Sequence, residues 1–456
     1  MRSTDELLTA DRLHVWHPFT QQQGWCEDDD EALLIDRAEG TNLFDREGHA
    51  YIDGVSSLWC NVHGHRHPAI DAAIRAQLDR MAHSTMLGLA HEPAIALAER
   101  LVAIAPAGLT RVFYSDSGST AVEIALKMAF QWWAQRGETQ RTRFIGLENA
   151  YHGDTIGSVS VGGIELFHSL YRPLLFDTLK ARAGDGDHLE ALLAEHGHTV
   201  AAVIIEPLVQ GAAGMLMQPD GYLRRVRELC DQYGVLLICD EVATGFGRTG
   251  AMFACDIEGI GPDLMCVGKG LTGGYLPLAA TLATERIYAG FLGRPEDSRT
   301  FFHGHTFTGN PLACAAAIAT LETFEREATI AGLGPKIDLL TRGLAEHISP
   351  LPAVLEIRQR GLMVGIELGG RAEGERLGHQ VTVAARRLGA VIRPLGDVIV
   401  LMPAPAMSAP DLRRLVAITA QAIAAVTSAG VLAGAPGSVL AGAPGGVPTS
   451  VPLSAA

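Results

Sequence analysis

Runs of apolar residues alternate with amphipathic patterns between about residues 110 and 285. The run at 235–239 is apolar throughout, as is typical of a strand covered on both faces, whereas 121–133 and 219–233 repeat their apolar positions with a helical period. Regular alternation of strands and helices favours a mostly parallel sheet joined by right-handed crossovers. The pattern therefore predicts an α/β fold.

The same pattern divides the 456-residue chain into four parts. Residues 1–60 show little helical period, with a short strand-and-turn pattern at 40–53, and are expected to join the smaller domain. Residues 61–330 form the large domain and 331–428 a smaller α+β domain. Residues 429–456 are Ala/Gly/Pro/Val repeats in which Val-Leu-Ala-Gly-Ala-Pro-Gly occurs twice. Because such repeats cannot build a core, this tail is predicted to be disordered.

Charge and cysteine usage narrow the class of protein. The formal charge of −15 has no basic stretch to offset it, which argues against a nucleic-acid or anionic-membrane partner. The N-terminus lacks the apolar core of a signal peptide, and no run of eighteen apolar residues occurs in the folded part. Seven cysteines without a C-x-x-C pair indicate core residues of a reducing compartment. We expect a cytoplasmic protein.

Two charged residues stand at the ends of buried strands. The run at 235–239 ends in Asp240, and a second run at 263–267 leads to Lys269. Since ligands of open α/β sheets bind beyond the carboxyl ends of the strands, both side chains should face one crevice. Pyridoxal phosphate requires an amine that binds it as a Schiff base and a carboxylate that keeps its ring nitrogen protonated. The alternative is that both are ordinary solvated strand-end charges.

Two other motifs in the sequence are typical of different functions. The sequence from Gly245 to Gly250 matches G-x-G-x-x-G, which in a nicotinamide enzyme leads into a long helix. Here Gly259, Gly261 and Pro262 interrupt the following segment, so a long helix is not expected. The histidines at 63, 65 and 67 have no carboxylate or cysteine at ligand spacing, so no metal is expected.

A second informative stretch predicts an anion site. A strand at 111–115 is followed by a Ser-Gly-Ser turn at 117–119 and by a helix without glycine or proline. Free N–H groups, the positive end of the helix dipole and hydroxyl groups meet there, as a phosphate requires. A plain helix N-cap is the alternative. Tyr151 follows a further strand and either stacks on a cofactor ring or is structural, and Arg393 follows an apolar run and either binds a carboxylate or is a surface residue.

Several spaced motifs together resemble those of the class III pyridoxal-phosphate aminotransferases: Asp-Glu-Val-Ala-Thr-Gly-Phe-Gly-Arg-Thr-Gly at 240–250, Gly-Lys-Gly at 268–270 and His-Gly-His-Thr at 303–306. Within this class, Trp-His-Pro at 16–18, Tyr-His-Gly-Asp-Thr at 151–155 and Ile-Glu-Leu-Phe-His-Ser-Leu-Tyr-Arg-Pro at 164–173 are similar to the 7,8-diaminononanoate synthases of biotin synthesis. The resemblance covers roughly residues 10–425.

This resemblance implies fold type I, a homodimer with active sites shared between subunits, and a role for each matching residue. Lys269 would be the Schiff-base lysine and proton shuttle, Asp240 the partner of the ring nitrogen, and Tyr151 a neighbour of the ring. Gly118 and Ser119 would bind the phosphate, together with His305 and Thr306 of the other subunit. The substrate site would contain Phe19, Leu58, Trp59, Tyr151, Gly304 and Arg393, with Arg393 binding the carboxylate of the oxononanoate.

The implied reaction is a ping-pong transamination of 8-amino-7-oxononanoate. Phe19, Leu58 and Val400 replace aromatic residues of the adenosylmethionine-using pattern, and they are similar to the lysine-using variants. The amino donor is therefore S-adenosylmethionine or lysine. The alternatives are an ω-amino-acid or polyamine transaminase of the same class and, more distantly, a nicotinamide-dependent oxidoreductase.

Overall fold

The computed structural model describes residues 2–27, 32–369 and 376–433. Its N-terminal part contains two helices and three antiparallel strands: α1 (Thr4–His14), α2 (Gln22–Glu27), β1 (Ile35–Glu39), β2 (Asn42–Asp45) and β3 (Ala50–Asp53). The expectation of little helical structure here was wrong for α1. Ser3 and Glu6 form a capping box, and no residue of α1 is buried, so local capping rather than an apolar face marks this helix.

The central part of the chain builds a seven-stranded sheet flanked by helices. Its elements are α3 (Ser56–Trp59), α4 (Pro68–Leu78), α5 (Glu92–Ile104), β4 (Leu109–Ser115), α6 (Gly118–Ala134), β5 (Arg143–Leu147), α7 (Ile156–Val161), α8 (Glu165–His168), β6 (Thr178–Ala181), α9 (Gly186–His196), β7 (Val200–Ile205), β8 (Val209–Gln210), β9 (Leu216–Met217), α10 (Tyr222–Gln232), β10 (Leu236–Asp240), α11 (Ala254–Glu258), β11 (Leu264–Val267), β12 (Ala279–Thr284), α12 (Glu285–Ala289) and α13 (Pro311–Arg326).

The sheet has the strand order β4-β12-β11-β10-β7-β5-β6. Only β12 runs antiparallel to its neighbours, so the prediction of a mostly parallel sheet is confirmed. Every residue of β7, β10 and β11 is buried, as their continuous apolar sequence requires. Because β11, β10 and β7 are parallel neighbours, the residues at their carboxyl ends lie side by side at one edge of the sheet.

The C-terminal part adds a second four-stranded sheet. Its elements are α14 (Leu333–Gly343), β13 (Val354–Arg360), β14 (Met363–Leu368), α15 (Leu377–Arg387), β15 (Ala390–Val391), β16 (Arg393–Leu395), β17 (Val398–Leu401) and α16 (Ala409–Ala433). The sheet order is β13-β14-β17-β16, while β15 pairs with β3 of the N-terminal part. Helix α16 ends at Ala433 and so includes the first five residues of the tail predicted at 429–456, and residues 434–456 lie outside the described residues. The four-part division of the chain stays a prediction.

Arg248 links three separate stretches of the chain. It is fully buried, and its guanidinium donates hydrogen bonds to Ser56 Oγ (3.1 Å), Asn61 O (2.7 Å) and Pro403 O (3.0 Å). Burial lowers its pKa to about 10. Two of these acceptors flank Trp59, so Arg248 fixes the turn that carries this residue.

Within the described ranges, no helix combines the length and the apolar character needed to cross a bilayer. The same part of the chain contains no group of three His, Cys, Asp or Glu side chains placed to bind a metal. The histidines at 63, 65 and 67 instead contact Thr320 O, Asp53 and Glu327.

Candidate active site

A cavity of about 170 Å³ lies at the carboxyl edge of the large sheet. Residues following β5, β7, β10 and β11 line it together with the start of α6 and a residue of the N-terminal part. The lining comprises Trp59, Gly118, Ser119, Tyr151, His152, Gly153, Asp154, Glu206, Asp240, Val242, Ala243 and Lys269. Six residues predicted from the sequence thus meet in one cavity, namely Trp59, Gly118, Ser119, Tyr151, Asp240 and Lys269.

Lys269 is a buried amine in a strained backbone position. It begins the helical turn after β11 with φ of 42°, a left-handed conformation that costs a non-glycine residue about 1–2 kcal/mol. Its Nζ lies 4.6 Å from the ring centre of Trp59 and makes no hydrogen bond to the described residues. Burial lowers the pKa of Lys269, and the carboxylates of Asp240 and Glu206 oppose this effect. The amine is thereby disposed to lose its proton.

Asp240 is held in a fixed orientation at the end of β10. One carboxylate oxygen, Oδ2, lies 2.8 Å from His152 Nδ1, and the other accepts a hydrogen bond from Val242 N at 3.1 Å. Both Asp240 and His152 are buried, and His152 Nε2 has no hydrogen-bond partner in the described structure. A cationic or N–H group in the cavity would therefore meet an oriented carboxylate.

The start of α6 provides an anion cradle, formed by Ser117, Gly118 and Ser119. Ser117 caps the helix by accepting a hydrogen bond from Thr120 N. The N–H groups of Gly118 and Ser119 have no acceptor among the described residues, and they lie at the positive end of a 17-residue helix. A Cβ on Gly118 would lie 2.5 Å from Cγ1 of Val242, so only glycine allows this close approach. The cradle therefore suits a phosphate.

Tyr151 and Glu206 are joined through the backbone. Glu206 Oε2 accepts a hydrogen bond from Tyr151 N (3.0 Å), and Oε1 accepts one from Gly211 N (3.1 Å). The hydroxyl of Tyr151 donates to Asp154 Oδ2 at 2.8 Å. Burial raises the pKa of Glu206 to about 7 and also raises the pKa of Tyr151. Besides Asp154, which pairs with the Tyr151 hydroxyl, the cavity thus contains two buried acids, Asp240 and Glu206, in different surroundings.

Three of the predicted substrate residues, Phe19, Leu58 and Arg393, do not line this cavity. Phe19 is 62% exposed, and its ring centre lies 5.7 Å from that of Phe167, which in turn lies 6.2 Å from that of Tyr151. Leu58 is half exposed. The guanidinium of Arg393, at the start of β16, is partly buried and makes no hydrogen bond or ion pair with a described residue; burial lowers its pKa. It is therefore available to an anionic ligand.

The loop predicted to serve the other subunit does not line the cavity of its own chain. Gly304 and Thr306 are exposed, and His305 Nδ1 lies 2.8 Å from Asp116 Oδ2. His303 lies between Lys127 and His305, at 3.0 Å and 3.2 Å. The structure contains one chain, so the roles of Gly304, His305 and Thr306 in the site of another subunit stay predictions.

Six lining residues were not singled out from the sequence as site residues, and three of them have ionisable side chains: His152, Asp154 and Glu206. Glu206 ends an apolar run in the same way as Asp240, and this signal could have identified it. His152 and Asp154 follow the strand that leads to Tyr151, but their contacts depend on how the turn folds.

The groups in the cavity fit pyridoxal phosphate. They include a buried primary amine, an oriented carboxylate, an anion cradle with free N–H groups and two aromatic side chains. Each corresponds to one requirement of that cofactor: covalent attachment, a protonated ring nitrogen, a bound phosphate and a ring contact.

Comparisons with known proteins agree with this geometry. The family described as aminotransferase class-III matches residues 26–423. The chain is 56% identical to adenosylmethionine-8-amino-7-oxononanoate aminotransferase of Nitratidesulfovibrio vulgaris, over 92% of this chain and 82% of that protein. It is 50% identical to the protein of the same name from Geobacter sulfurreducens, over 91% of this chain and 96% of that protein.

Solved structures show the same similarity. The adenosylmethionine-8-amino-7-oxononanoate aminotransferase of Methanocaldococcus jannaschii superposes with a TM-score of 0.90 at 44% identity, covering 92% of this chain and 99% of that one. An amine transaminase from an uncultivated Pseudomonas species, solved in its PLP-bound form, gives 0.84 at 35% identity, covering 91% and 99%. These superpositions confirm the α/β fold predicted from the sequence.

Proposed function

Because the chain belongs to the class III aminotransferases, we propose that it transfers an amino group to 8-amino-7-oxononanoate and forms 7,8-diaminononanoate, a step of biotin synthesis. It is an aminotransferase, and its cofactor is pyridoxal phosphate. The names of the relatives at 56% and 50% identity support the acceptor. The observation that carries the proposal is the meeting of Lys269, Asp240 and the anion cradle in one cavity.

Four residues would bind the cofactor from this chain. Lys269 would attach it covalently, Asp240 would pair with the ring nitrogen, and Gly118 and Ser119 would bind its phosphate through their free N–H groups. When bound, pyridoxal phosphate supplies an electron sink for the bonds at the amino-bearing carbon. The hydrogen bonds from His152 and Val242 keep the carboxylate of Asp240 directed into the cavity.

Lys269 would move the proton during transamination. Its neutral amine would take up the proton from the amino-bearing carbon of the donor and release it again within the site, and the second half-reaction would reverse the order. The burial that lowers the pKa of Lys269 favours the neutral form that this step needs. Trp59, beside the Nζ, shields the amine on one side.

Arg393 would bind the carboxylate of the acceptor. Its guanidinium is partly buried and makes no ion pair with a described residue. A planar guanidinium binds a carboxylate through two parallel hydrogen bonds, which fixes the orientation of the substrate. The opposite end of the acceptor would then be directed toward Lys269.

The donor would be S-adenosylmethionine or lysine. Phe19 and Leu58 present apolar surfaces to solvent. Val400 is fully buried and pairs with Arg393 across β16 and β17, so it offers a donor no polar group. Both donors carry an α-amino acid group. They differ in the part of the molecule far from this group, and apolar side chains such as Phe19, Leu58 and Val400 would discriminate between those parts.

We also infer a homodimer with shared active sites. Gly304, His305 and Thr306 are predicted site residues, but they do not line the cavity of their own chain. A second copy would bring this loop to the phosphate end of the cavity. We place the enzyme in the cytoplasm, since all seven cysteines are free thiols and five of them are buried.

The experiment that tests the function is a donor screen at fixed acceptor. Purified protein with pyridoxal phosphate is given 8-amino-7-oxononanoate and either lysine or S-adenosylmethionine, and diaminononanoate is measured by mass spectrometry. We expect product with one donor in clear excess. Lys269→Ala should abolish turnover and leave the cofactor bound without a covalent link. Absence of product with both donors would refute the acceptor, and turnover by Lys269→Ala would refute the role of the lysine.

A further inference from the structure

Glu206 is a buried acid for which the mechanism above has no use. It is 4% exposed and lines the cavity beside Lys269 and Asp240. It follows β7 directly, as Asp240 ends β10, and these two strands are parallel neighbours in register. The active-site amine therefore faces two carboxyl groups that stand at adjacent strand ends.

The two acids differ in their partners. Asp240 Oδ2 lies 2.8 Å from the ring nitrogen Nδ1 of His152, and Asp240 Oδ1 accepts a hydrogen bond from Val242 N. Glu206 accepts hydrogen bonds only from the uncharged N–H groups of Tyr151 and Gly211. When two carboxyl groups share a buried site, the pKa of one of them is raised, and that acid takes up the proton. In this cavity that acid is Glu206.

We propose that Glu206 is a positioning residue for the charge of Lys269: it holds the proton that the amine must release before it can act as a base. This inference rests on the proposed function of Lys269 as the proton shuttle. In the step, an N–H bond of the Lys269 ammonium breaks and an O–H bond forms on the Glu206 carboxylate. Ammonium and carboxylate become amine and carboxylic acid, so the cavity gains or loses no charge.

The surroundings of Glu206 support this assignment. The titratable groups that face it are His152 and Tyr151 after β5, Asp240 of β10 and Lys269 after β11. Burial raises the pKa of Glu206 to about 7, with Asp240 adding to this effect and His152 opposing it. The acid therefore exchanges its proton near neutral pH, as a group that alternates between two forms must. Both of its backbone hydrogen bonds persist in either form, because each oxygen keeps a lone pair for them.

The test compares three variants of the full-length holoenzyme. Glu206→Gln removes the titratable proton, and Glu206→Asp keeps a carboxyl but withdraws it by one methylene. Glu258→Gln is the matched control, because Glu258 is also a buried glutamate whose two oxygens accept backbone N–H groups, from Gly221 (2.7 Å) and Arg224 (2.8 Å), and it lies outside the cavity.

The first measurement is a pH titration of the visible absorbance of the bound cofactor, which reports the protonation of the Lys269 nitrogen. Removing one of two nearby carboxylates should lower the midpoint by about one pH unit in Glu206→Gln, a tenfold change in proton affinity. Glu206→Asp should shift it less, and Glu258→Gln should leave it unchanged. If Glu206→Gln does not retain the cofactor, the titration of Glu206→Asp is the test. A midpoint in Glu206→Asp equal to that of the native protein would then overturn the proposal.

The second measurement is the pH profile of kcat/KM. Glu206→Gln should lose the ionisation near neutral pH and lower kcat by about tenfold. A midpoint that is equal in the native protein, Glu206→Gln and Glu258→Gln would overturn the proposal, even if Glu206→Gln were slow, since Glu206 would then only support the Tyr151 turn. The spectral titration needs no substrate. Failure to form diaminononanoate would thus refute the proposed acceptor without affecting this result.

Discussion

Replacing Gly118 by alanine tests how closely α6 must approach the turn after β10. The new Cβ would lie 2.5 Å from Cγ1 and 2.9 Å from Cγ2 of Val242, whereas carbon atoms in contact normally lie about 3.5–4.0 Å apart. Val242 is β-branched and has few rotamers available. Its backbone N–H also donates to Asp240, so relief of the overlap moves either the anion cradle or the carboxylate.

Overpacking of this size costs about 1–3 kcal/mol. If that cost falls on the cofactor-bound form, the Kd for pyridoxal phosphate should rise by about 5- to 150-fold. The assay is an equilibrium titration of cofactor-depleted protein followed by absorbance, with thermal unfolding measured on the same samples. Gly334→Ala is the matched control: Gly334 is the second residue of α14, and nothing lies within 4 Å of a Cβ there. It should stabilise the fold by about 0.4–1 kcal/mol and leave cofactor affinity unchanged.

Three outcomes are possible for Gly118→Ala, and they distinguish an effect on cofactor binding from an effect on fold stability and from no effect. Weaker cofactor binding in Gly118→Ala alone supports the cradle. A lower unfolding temperature with unchanged Kd would place the strain in the fold and not in the cradle. Native affinity together with native stability would refute the reasoning, since Val242 would then relax freely and the close approach would have no function.

Two further predictions concern charge. Arg393→Lys should raise the KM for 8-amino-7-oxononanoate by about tenfold with a smaller change in kcat, because an ammonium cannot form the bidentate pair; steady-state kinetics measures this, and an unchanged KM would contradict it. The pKa of Glu206 is raised from 4.5 to about 7 in the fold, so the stability linked to its proton is complete below pH 4.5 and is lost as pH rises through 7, by about 3 kcal/mol. Glu206→Gln has no such loss. Its unfolding temperature relative to the native protein should therefore increase from pH 5 to pH 8, and a constant difference would show that Glu206 does not titrate there.

The central sheet and two key residues could be predicted because the signals are local. A continuous apolar run bounded by polar residues marks β10, and all five of its residues are buried. Parallel strands present their carboxyl ends at one edge, so a charge at such an end is a candidate from the sequence alone. Asp240 and Lys269 meet in the cavity for this reason.

The remaining features depend on information that no single segment carries. The place of β7 beside β10 follows from the side taken by the crossovers, and only this order brings Glu206 next to Asp240. The contact of His152 with Asp240 joins residues 88 positions apart. Helix α1 was missed because it has no buried face to produce an apolar period. In the proposed homodimer, the loop at 303–306 would act in the cavity of the other subunit, and no local pattern in the sequence encodes such a contact.

The order of β11, β10 and β7 also explains why the cavity tolerates several buried charges. Lys269 alone would carry an uncompensated ammonium, and a fully ionised set with Asp240 and Glu206 would bury a net negative charge before a phosphate is added. A phosphate adds further negative charge, which the dipole of α6 offsets only at its own end. An acid with a pKa near 7 resolves this conflict, because it takes up a proton whenever the site would otherwise hold excess negative charge. Glu206 can do so because it is buried and its carboxyl oxygens accept hydrogen bonds only from uncharged backbone N–H groups, which leaves the effect of burial on its pKa largely uncompensated.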